Sequence, residues 1–324
     1  MISSYSEKRG KELAMAKKMK PVCIVGPTAT GKTWLSLALA ERIPSLEIIY
    51  ADSMAIYRYL DVGTDKPSPE ERGTIPHHLV DFLDPQERWS AFQFKREAQK
   101  LTRAIFDRGN FPLIVGGTAF YLNTFLTSFA PAGVPADWRI RKTLEQLANE
   151  QLFSLLKEID PRRAIKVGKQ DRKRLVRALE IFYKTGLPPS FFQPQKGKVN
   201  SEHSLLIGIR FDKEELQAKI KKRIDRMFEQ GIVEEVRLLL DRGYAESDPG
   251  LNNFTYRPVV KLIKGQSTLE ETKTAIFQGT MSLVKRQNNW FKKAPIYWLE
   301  SNQNREELVD QTINLIRKKG GWKK

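Results

Sequence analysis

The stretch Gly26-Pro27-Thr28-Ala29-Thr30-Gly31-Lys32-Thr33 constrains the fold of this chain more than any other. It follows a short apolar run, Val22-Cys23-Ile24-Val25, and opens a helical one from Trp34 to Arg42. The order is strand, glycine-bounded loop, helix, and the spacing fits G-x-x-x-x-G-K-[ST]. Glycines let the backbone curl so that successive N–H groups converge on phosphate oxygens at the positive end of the helix. Lys32 adds a full charge, and Thr33 places a hydroxyl where it can reach a metal ion. The chain therefore grips a phosphate or diphosphate through Gly26–Thr33.

The charge balance says what else it meets. Among 324 residues, 55 Lys+Arg face 38 Asp+Glu, a net charge of +17. Such an excess favours a polyanionic partner, nucleic acid or an anionic membrane surface. Since no apolar run reaches membrane-spanning length and no signal-peptide pattern is present, a membrane role is not expected. Cys23 is the single cysteine, so no disulfide forms within the chain and a reducing, cytoplasmic setting is expected. It lies inside the apolar strand and reads as core filler.

A second strand, Leu46–Ala51, ends in Asp52-Ser53-Met54-Ala55-Ile56-Tyr57-Arg58. A carboxylate at the carboxyl end of a strand beside the phosphate loop lies where open α/β sheets bind ligands. Asp52 can serve there as a base or as a helix cap, and the residues alone leave both open. His77 and His78 are adjacent, point to opposite faces in an extended segment and have no Cys or Glu cluster near them, so they read as structural. Phe92–Arg108 is an amphipathic helix with Phe94, Ala98, Leu101 and Ile105 near one side. The buried strand Pro112–Val115 then leads into Gly116-Gly117-Thr118. Strands alternating with helices predict a parallel sheet with helices on both faces.

Composition changes near Pro131. The segment 131–200 reads as an all-helical insertion; from 131 to 199 it carries 15 Lys+Arg against 7 Asp+Glu. Between Arg162 and Arg177 stand eight basic residues and one acid, Asp171. A run of one sign points to polyanion binding ahead of a merely solvated face. The expected organisation is a basic leader over 1–20, an α/β core over 21–130, the helical insertion over 131–200, and the rest of the core with C-terminal helices over 201–324. That last part starts with a strand at Leu205–Phe211 that rejoins the sheet. A long helix from Asp212 through Phe228 follows, then helices at Val233–Leu240 and Leu269–Phe291.

Taken together, Gly26–Thr33, Asp52-Ser53-Met54-x-x-Tyr57-Arg58, Gly63-Thr64-x-Lys66-Pro67, Pro76-His77-His78-Leu79, Val115-Gly116-Gly117-Thr118, Arg174–Glu180, Arg223-Ile224-Asp225-x-Met227 and Lys285-Arg286-Gln287-x-x-Trp290-Phe291 occur in this order. The combination resembles the tRNA dimethylallyltransferases (tRNA isopentenyltransferases) from about residue 21 to 300. That resemblance implies a P-loop NTPase-like α/β fold and transfer of a dimethylallyl group from dimethylallyl diphosphate to N6 of adenosine 37, in tRNAs reading codons that begin with U. It implies that Gly26, Pro27, Thr28, Ala29, Thr30, Gly31, Lys32 and Thr33 cradle the leaving diphosphate, with Mg²⁺ at Thr33 and help from Arg223. Asp52 is implied as the base toward N6, and Thr118 as a contact to the target nucleotide. The implied tRNA contacts are Asp52, Ser53, Met54, Ala55, Thr118, Arg141, Lys173, Arg174, Leu175, Val176, Arg177, Arg257, Lys285, Arg286 and Gln287. The anticodon stem-loop is the implied partner of the insertion, and a monomer enclosing one stem-loop is expected.

The chain departs from the family pattern at Thr255-Tyr256-Arg257, where Gly-Tyr-Arg is usual, at Thr280–Leu283, at Gly168–Asp171 and at Ala55. These departures bear on the tRNA side more than on the reaction centre. Two other readings compete: a P-loop kinase or NTPase acting on a small molecule, and a prenyltransferase acting on free AMP, ADP or ATP. Both leave the basic insertion without a task. A nucleic-acid-binding protein that has lost its chemistry is a third, opposed by the joint presence of Lys32, Thr33, Asp52, Thr118 and Arg223.

Overall fold

Parallel strands buried on both faces read as unbroken apolar runs, because helices cover each side of the sheet. Strand β1 (Val22–Val25) is of this kind, with all of its residues buried. In the computed structural model, which describes residues 20–127, 134–192, 204–301 and 304–322, it is followed by α1 (Lys32–Arg42), β2 (Leu46–Tyr50), α2 (Pro69–Arg72), β3 (His77–His78), α3 (Ala91–Asp107), β4 (Phe111–Gly116) and α4 (Ala119–Leu126). Next come α5 (Trp138–Leu144), α6 (Asn149–Ile159), α7 (Pro161–Val167), α8 (Arg172–Thr185) and a 3-10 turn at Pro189–Phe191. The chain then forms β5 (Leu205–Arg210), α9 (Lys213–Glu229), α10 (Ile232–Asp241), α11 (Tyr256–Ile263), α12 (Leu269–Phe291), β6 (Ile296–Glu300) and α13 (Arg305–Lys319). The leader up to residue 19, Pro131-Ala132-Gly133 and the lysine-bearing loop 193–200 lie outside the described residues.

Six strands form one sheet in the order β3-β2-β4-β1-β5-β6, and every pairing is parallel. Strand β4 therefore lies between β1 and β2. In an open α/β sheet, ligands bind outside the carboxyl ends of the strands where the order reverses, so the loops after β1, β2 and β4 share one crevice. Cys23 is buried in β1, and burial pushes its thiol pKa up, away from nucleophile chemistry.

The chain divides into two compact units. The larger takes in the described residues of Met1–Trp89, Gln93–Leu126 and Val199–Lys324, the smaller those of Ser90–Phe92 and Thr127–Lys198. In the larger unit one core packs α1 and α13 on the sheet through residues such as Leu35, Leu39, Ile313 and Ile316. A second core joins α9, α10, α11 and α12 through Ile220, Ile224, Val236, Val260 and Ile276. The described part of the smaller unit is helical, with a core built from Leu152, Leu156, Ala164, Leu175, Val176 and Leu179. Each of its fully buried leucines contributes about 1.5–3 kcal/mol of transfer free energy. Asp171 starts α8 by accepting from the Arg174 N–H, and Gly186, at φ 71°, ends it.

Several elements were not singled out from the sequence: α2, β3 and α4 in the first part of the core, and α11, β6 and α13 in the second. The helix expected over Val233–Leu240 runs Ile232–Asp241. Asp212 occupies the N-cap position of α9, but its side chain makes no capping hydrogen bond. Glu214 and Glu215 in the first turn supply the negative charge that favours that end. Leu101 in α3 is only partly buried, while Phe94, Ala98 and Ile105 are core.

Candidate active site

The loop after β1 is shaped by three left-handed or glycine-favoured residues: Gly26 at φ 150°, Ala29 at 64° and Gly31 at 77°. Such alternation turns consecutive N–H groups toward one point. Ala29 carries a side chain in a conformation that L-residues rarely adopt, which marks a segment held by its surroundings. The Thr30 hydroxyl donates to the Pro27 carbonyl at 2.9 Å, and the Lys32 ammonium donates to the same oxygen. Burial pulls the Lys32 pKa down to about 8, opposed by the nearby Asp52 carboxylate and assisted by Arg223. An anion in the loop would offset that desolvation.

Two distant side chains brace the loop. Gln287, 5% exposed on α12, accepts from the Thr28 N–H at 3.2 Å and donates to the Gly117 carbonyl at 2.7 Å. Arg223 on α9 donates to the Thr28 hydroxyl at 2.6 Å and to the Thr64 carbonyl at 3.1 Å, and pairs with Asp65 at 3.4 Å. Its guanidinium thus stands at the loop, in place to meet a bound diphosphate.

Asp52 follows β2. Its Oδ1 accepts from the N–H groups of Met54 (2.8 Å) and Ala55 (3.1 Å), so it does cap a turn. Among the described residues no hydrogen bond is made to Oδ2, which leaves one oxygen for chemistry. Thr118, after β4, accepts from the Ser53 N–H at 3.0 Å, and its own N–H donates to the Ala51 carbonyl at 3.2 Å. The turns after β2 and β4 are thereby locked together. Lys32, Thr33, Asp52, Thr118 and Arg223 all line one cavity of about 1190 Å³. Its apolar wall includes Ile220, Ile224, Met227, Ile276 and Leu283. A site that joins a phosphate cradle, a carboxylate and apolar surface in one space is built for an amphipathic phosphate ester.

Comparison with known proteins decides the family. The family model described as IPP transferase matches residues 55–294, a range that starts beyond the phosphate loop. A tRNA dimethylallyltransferase of Natranaerobius thermophilus is 37% identical over 330 residues, covering 98% of this chain and 99% of that one. The chain belongs to the tRNA dimethylallyltransferase family. The crystal structure of the full-length tRNA isopentenylpyrophosphate transferase of Bacillus halodurans is similar with a TM-score of 0.69 at 33% identity, covering 94% of this chain and 97% of that one. A eukaryotic dimethylallyltransferase acting on tRNA gives a TM-score of 0.76 at 25% identity, covering 92% of this chain and 78% of that one. The fold is the P-loop NTPase-like sheet that these transferases share.

The residues expected to touch tRNA separate into two groups. Lys173 and Arg174 are exposed on the first turn of α8, with Arg174 3.3 Å from Asp171. Leu175 and Val176 are instead buried in the helical core, at 0% and 4% exposure, and offer almost no side-chain surface. Arg177 and Arg141 both bind the fully buried Glu180 carboxylate, at 2.6 and 2.9 Å, and Arg177 also donates to the Val134 carbonyl. Glu180 further accepts from the Asp137 N–H. Arg141 and Arg177, implied as tRNA contacts by the resemblance, thus pair with Glu180 while staying about a quarter exposed, at 24% and 25%.

In the larger unit, Arg286 borders the cavity and Lys285 is exposed away from it. Gln287, expected to touch tRNA, is the buried brace described above. Ala55 is 4% exposed and packs in the core, yet it lines the cavity beside Asp52, Ser53 and Met54. Arg257 is exposed on the first turn of α11 and does not line the cavity; Asn253, Phe254 and Thr255 do. His77 stacks on Tyr50 with centroids 5.8 Å apart, and His78 bonds Glu47 at 2.7 Å, as befits structural histidines. Trp290 and Phe291 pack edge-to-face, and Phe291 is buried.

Sequence reasoning missed Glu235, Tyr256 and the ion cluster around Lys66. The Lys66 ammonium is buried and binds Asp61 (2.6 Å), Asp81 (2.7 Å) and the Tyr57 carbonyl (2.8 Å). The Gly63-Thr64-x-Lys66-Pro67 pattern was its only signal. Glu235 gave none, being one acid in a run of mixed charge.

Proposed function

We propose that this chain transfers a dimethylallyl group from dimethylallyl diphosphate to N6 of adenosine 37 in tRNA, releasing diphosphate. The observation that supports this most is that the phosphate loop and Asp52 open into one cavity with an apolar wall. The C–O bond of the allylic diphosphate breaks as the C–N bond to N6 forms. The N6 proton passes to Asp52 Oδ2, the oxygen not engaged with Met54 and Ala55. An exocyclic amine is a weak nucleophile because its lone pair is delocalised, so proton removal during bond formation helps. Negative charge grows on the departing diphosphate, where the N–H groups of Ala29–Thr33, the Lys32 ammonium and the Arg223 guanidinium meet it. The Thr118 hydroxyl, fixed by Ser53, faces the target nucleotide.

A divalent metal fits the donor set. Among the described residues no cluster of three or more His, Cys, Asp or Glu could cage one. The Thr33 hydroxyl and the Asp52 carboxylate line the same cavity, a sparse pair that suits Mg²⁺, which keeps waters and binds through substrate phosphates. When bound, Mg²⁺ would neutralise charge on the diphosphate.

The target base must leave its stack to enter the cavity, as in other enzymes that act on a base. Exposed Lys173 and Arg174 suit the phosphates of an anticodon stem-loop, and the +17 charge then needs no second function. Among the described residues no helix is long and apolar enough to cross a membrane. Labelled dimethylallyl diphosphate offered with unmodified tRNA, AMP and ATP tests the assignment. Label in tRNA supports it; label only in AMP or ATP, or ATP hydrolysis without prenyl transfer, overturns it.

A further inference from the structure

Arg223 reaches the phosphate loop from a helix, and a long side chain so placed loses its orientation unless fixed acceptors hold it. Two such acceptors lie in the turn 61–65: the Thr64 carbonyl and the Asp65 carboxylate. That turn is not regular structure. Asp65 has φ 56°, and nearby Tyr59 has φ 66°, conformations that persist only where surrounding contacts impose them.

The turn closes through the Asp65 N–H to the Asp61 carbonyl at 3.1 Å, and one carboxylate from outside holds its first half. Glu235, on α10, accepts from the N–H groups of Asp61 and Val62, each at 2.7 Å on Oε2. Its Oε1 accepts from the Gly63 N–H at 3.3 Å and from the Tyr256 hydroxyl at 2.7 Å. Three consecutive backbone amides therefore converge on one side chain, in the way a loop of amides grips an anion. Tyr256 is 1% exposed, and its ring closes on Gly63, where an added Cβ would lie 2.5 Å from Cζ. On the other side of the turn, Lys66 ties Asp61. Glu235 itself does not line the cavity.

We propose that Glu235, with Tyr256, is a positioning residue that fixes the 61–65 turn so that Thr64 and Asp65 aim Arg223 at Thr28 and the bound diphosphate. This rests on the reading that the phosphate loop holds the leaving diphosphate. Preorganised charge counts in a transition state because no reorganisation is needed as the bond breaks. Glu235 thus acts on the reaction through two intermediaries and without touching substrate.

The test uses the full chain, with inorganic diphosphate and Mg²⁺ as the binding probe and prenyl transfer to tRNA as the assay. Glu235→Gln replaces one acceptor oxygen by a donor facing backbone amides. It should raise the Kd for diphosphate and the KM for dimethylallyl diphosphate about tenfold, the scale seen when a supporting partner of a ligand is removed. tRNA affinity should not change. Tyr256→Phe keeps the ring against Gly63 and loses only the hydroxyl; it should move the same constants in the same direction by less, and it carries the test if Glu235→Gln folds poorly. In an Arg223→Ala background, Glu235→Gln should have no further effect on diphosphate binding, since the two act in series. An unchanged diphosphate Kd in Glu235→Gln, or an undiminished effect without Arg223, overturns the proposal. A wild-type chain that binds diphosphate yet prenylates no tRNA sinks the reaction assigned above, and the diphosphate titrations still decide the role of Glu235.

Discussion

Gln287 holds Thr28 by its backbone: the side-chain carbonyl takes the Thr28 N–H at 3.2 Å while the amide end grips Gly117 at 2.7 Å. One residue of a late helix thereby sets the spacing between the loop after β1 and the turn after β4. Gln287→Leu is nearly the same size but leaves the part-buried Thr28 N–H and the buried Gly117 carbonyl without this partner. It should cost about 1–3 kcal/mol of stability for each group left unpaired and raise the KM for dimethylallyl diphosphate. Thermal unfolding and steady-state kinetics check both, and an unchanged KM would show that the brace does not reach the substrate.

Asp52 both caps a turn and is assigned the base role, and one substitution separates the two. Asp52→Asn retains an oxygen for the Met54 and Ala55 N–H groups but cannot take a proton at neutral pH. Turnover should fall by roughly 10²–10⁴, with stability and tRNA affinity preserved. Single-turnover transfer measures the first and a filter-binding titration the last. Wild-type turnover in Asp52→Asn would leave Asp52 with the capping role alone.

Lys32 gives the diphosphate site a pH dependence of definite sign. With a pKa of about 8 in the free protein, its ammonium loses its proton as pH rises through that value. A bound anion favours the charged form, so binding takes up a proton and diphosphate affinity should weaken from pH 7 to pH 9. Lys32→Arg keeps the charge across this range and should remove that part of the slope. Calorimetry in buffers of different ionisation enthalpy reads the proton uptake directly.

Within the helical unit, neighbouring basic residues should respond in opposite ways. Neutralising Lys173 and Arg174 together should leave unfolding unchanged and lower the slope of log affinity for tRNA against log salt by about 1–2. Arg177→Ala removes a partner of the buried Glu180 and should instead destabilise the unit by about 1–3 kcal/mol, visible in its thermal transition. Equal salt slopes for the two variants would place Arg177 back among the phosphate contacts.

What the sequence made legible follows from how far each constraint reaches along the chain. Gly26–Thr33 is readable because a backbone loop is specified by spacing within a few residues. Asp52 and Thr118 are readable as polar residues at strand ends in an alternating β/α pattern. The work of Gln287 is not, since its partner Thr28 lies 259 positions away. Helix α11 was hidden by Pro258, which reads as a breaker; in the first turn, where N–H groups lack helical partners, proline is tolerated. The pairing of Arg177 and Arg141, which the resemblance placed among tRNA contacts, was not readable because nothing local reveals that Glu180 faces inward. Leu175 and Val176 entered the expected tRNA surface through the family resemblance, while the helical period turns their side chains into the core.

Strand β4 ends at Gly116 and Gly117 follows it; a methyl group on the first would overlap the Ala51 carbonyl, on the second the Gly26 carbonyl at 2.9 Å. Bare backbone at this tip leaves the single crevice undivided between the loops after β1 and β2. The gap from cradle to carboxylate is then measured in sheet pitch, two strand spacings or roughly 10 Å, a ruler that side-chain motion cannot stretch. Phosphates anchored at one edge keep the carbon that bears the leaving oxygen near that edge, so the rest of the gap is left for the adenine whose amine must reach that carbon.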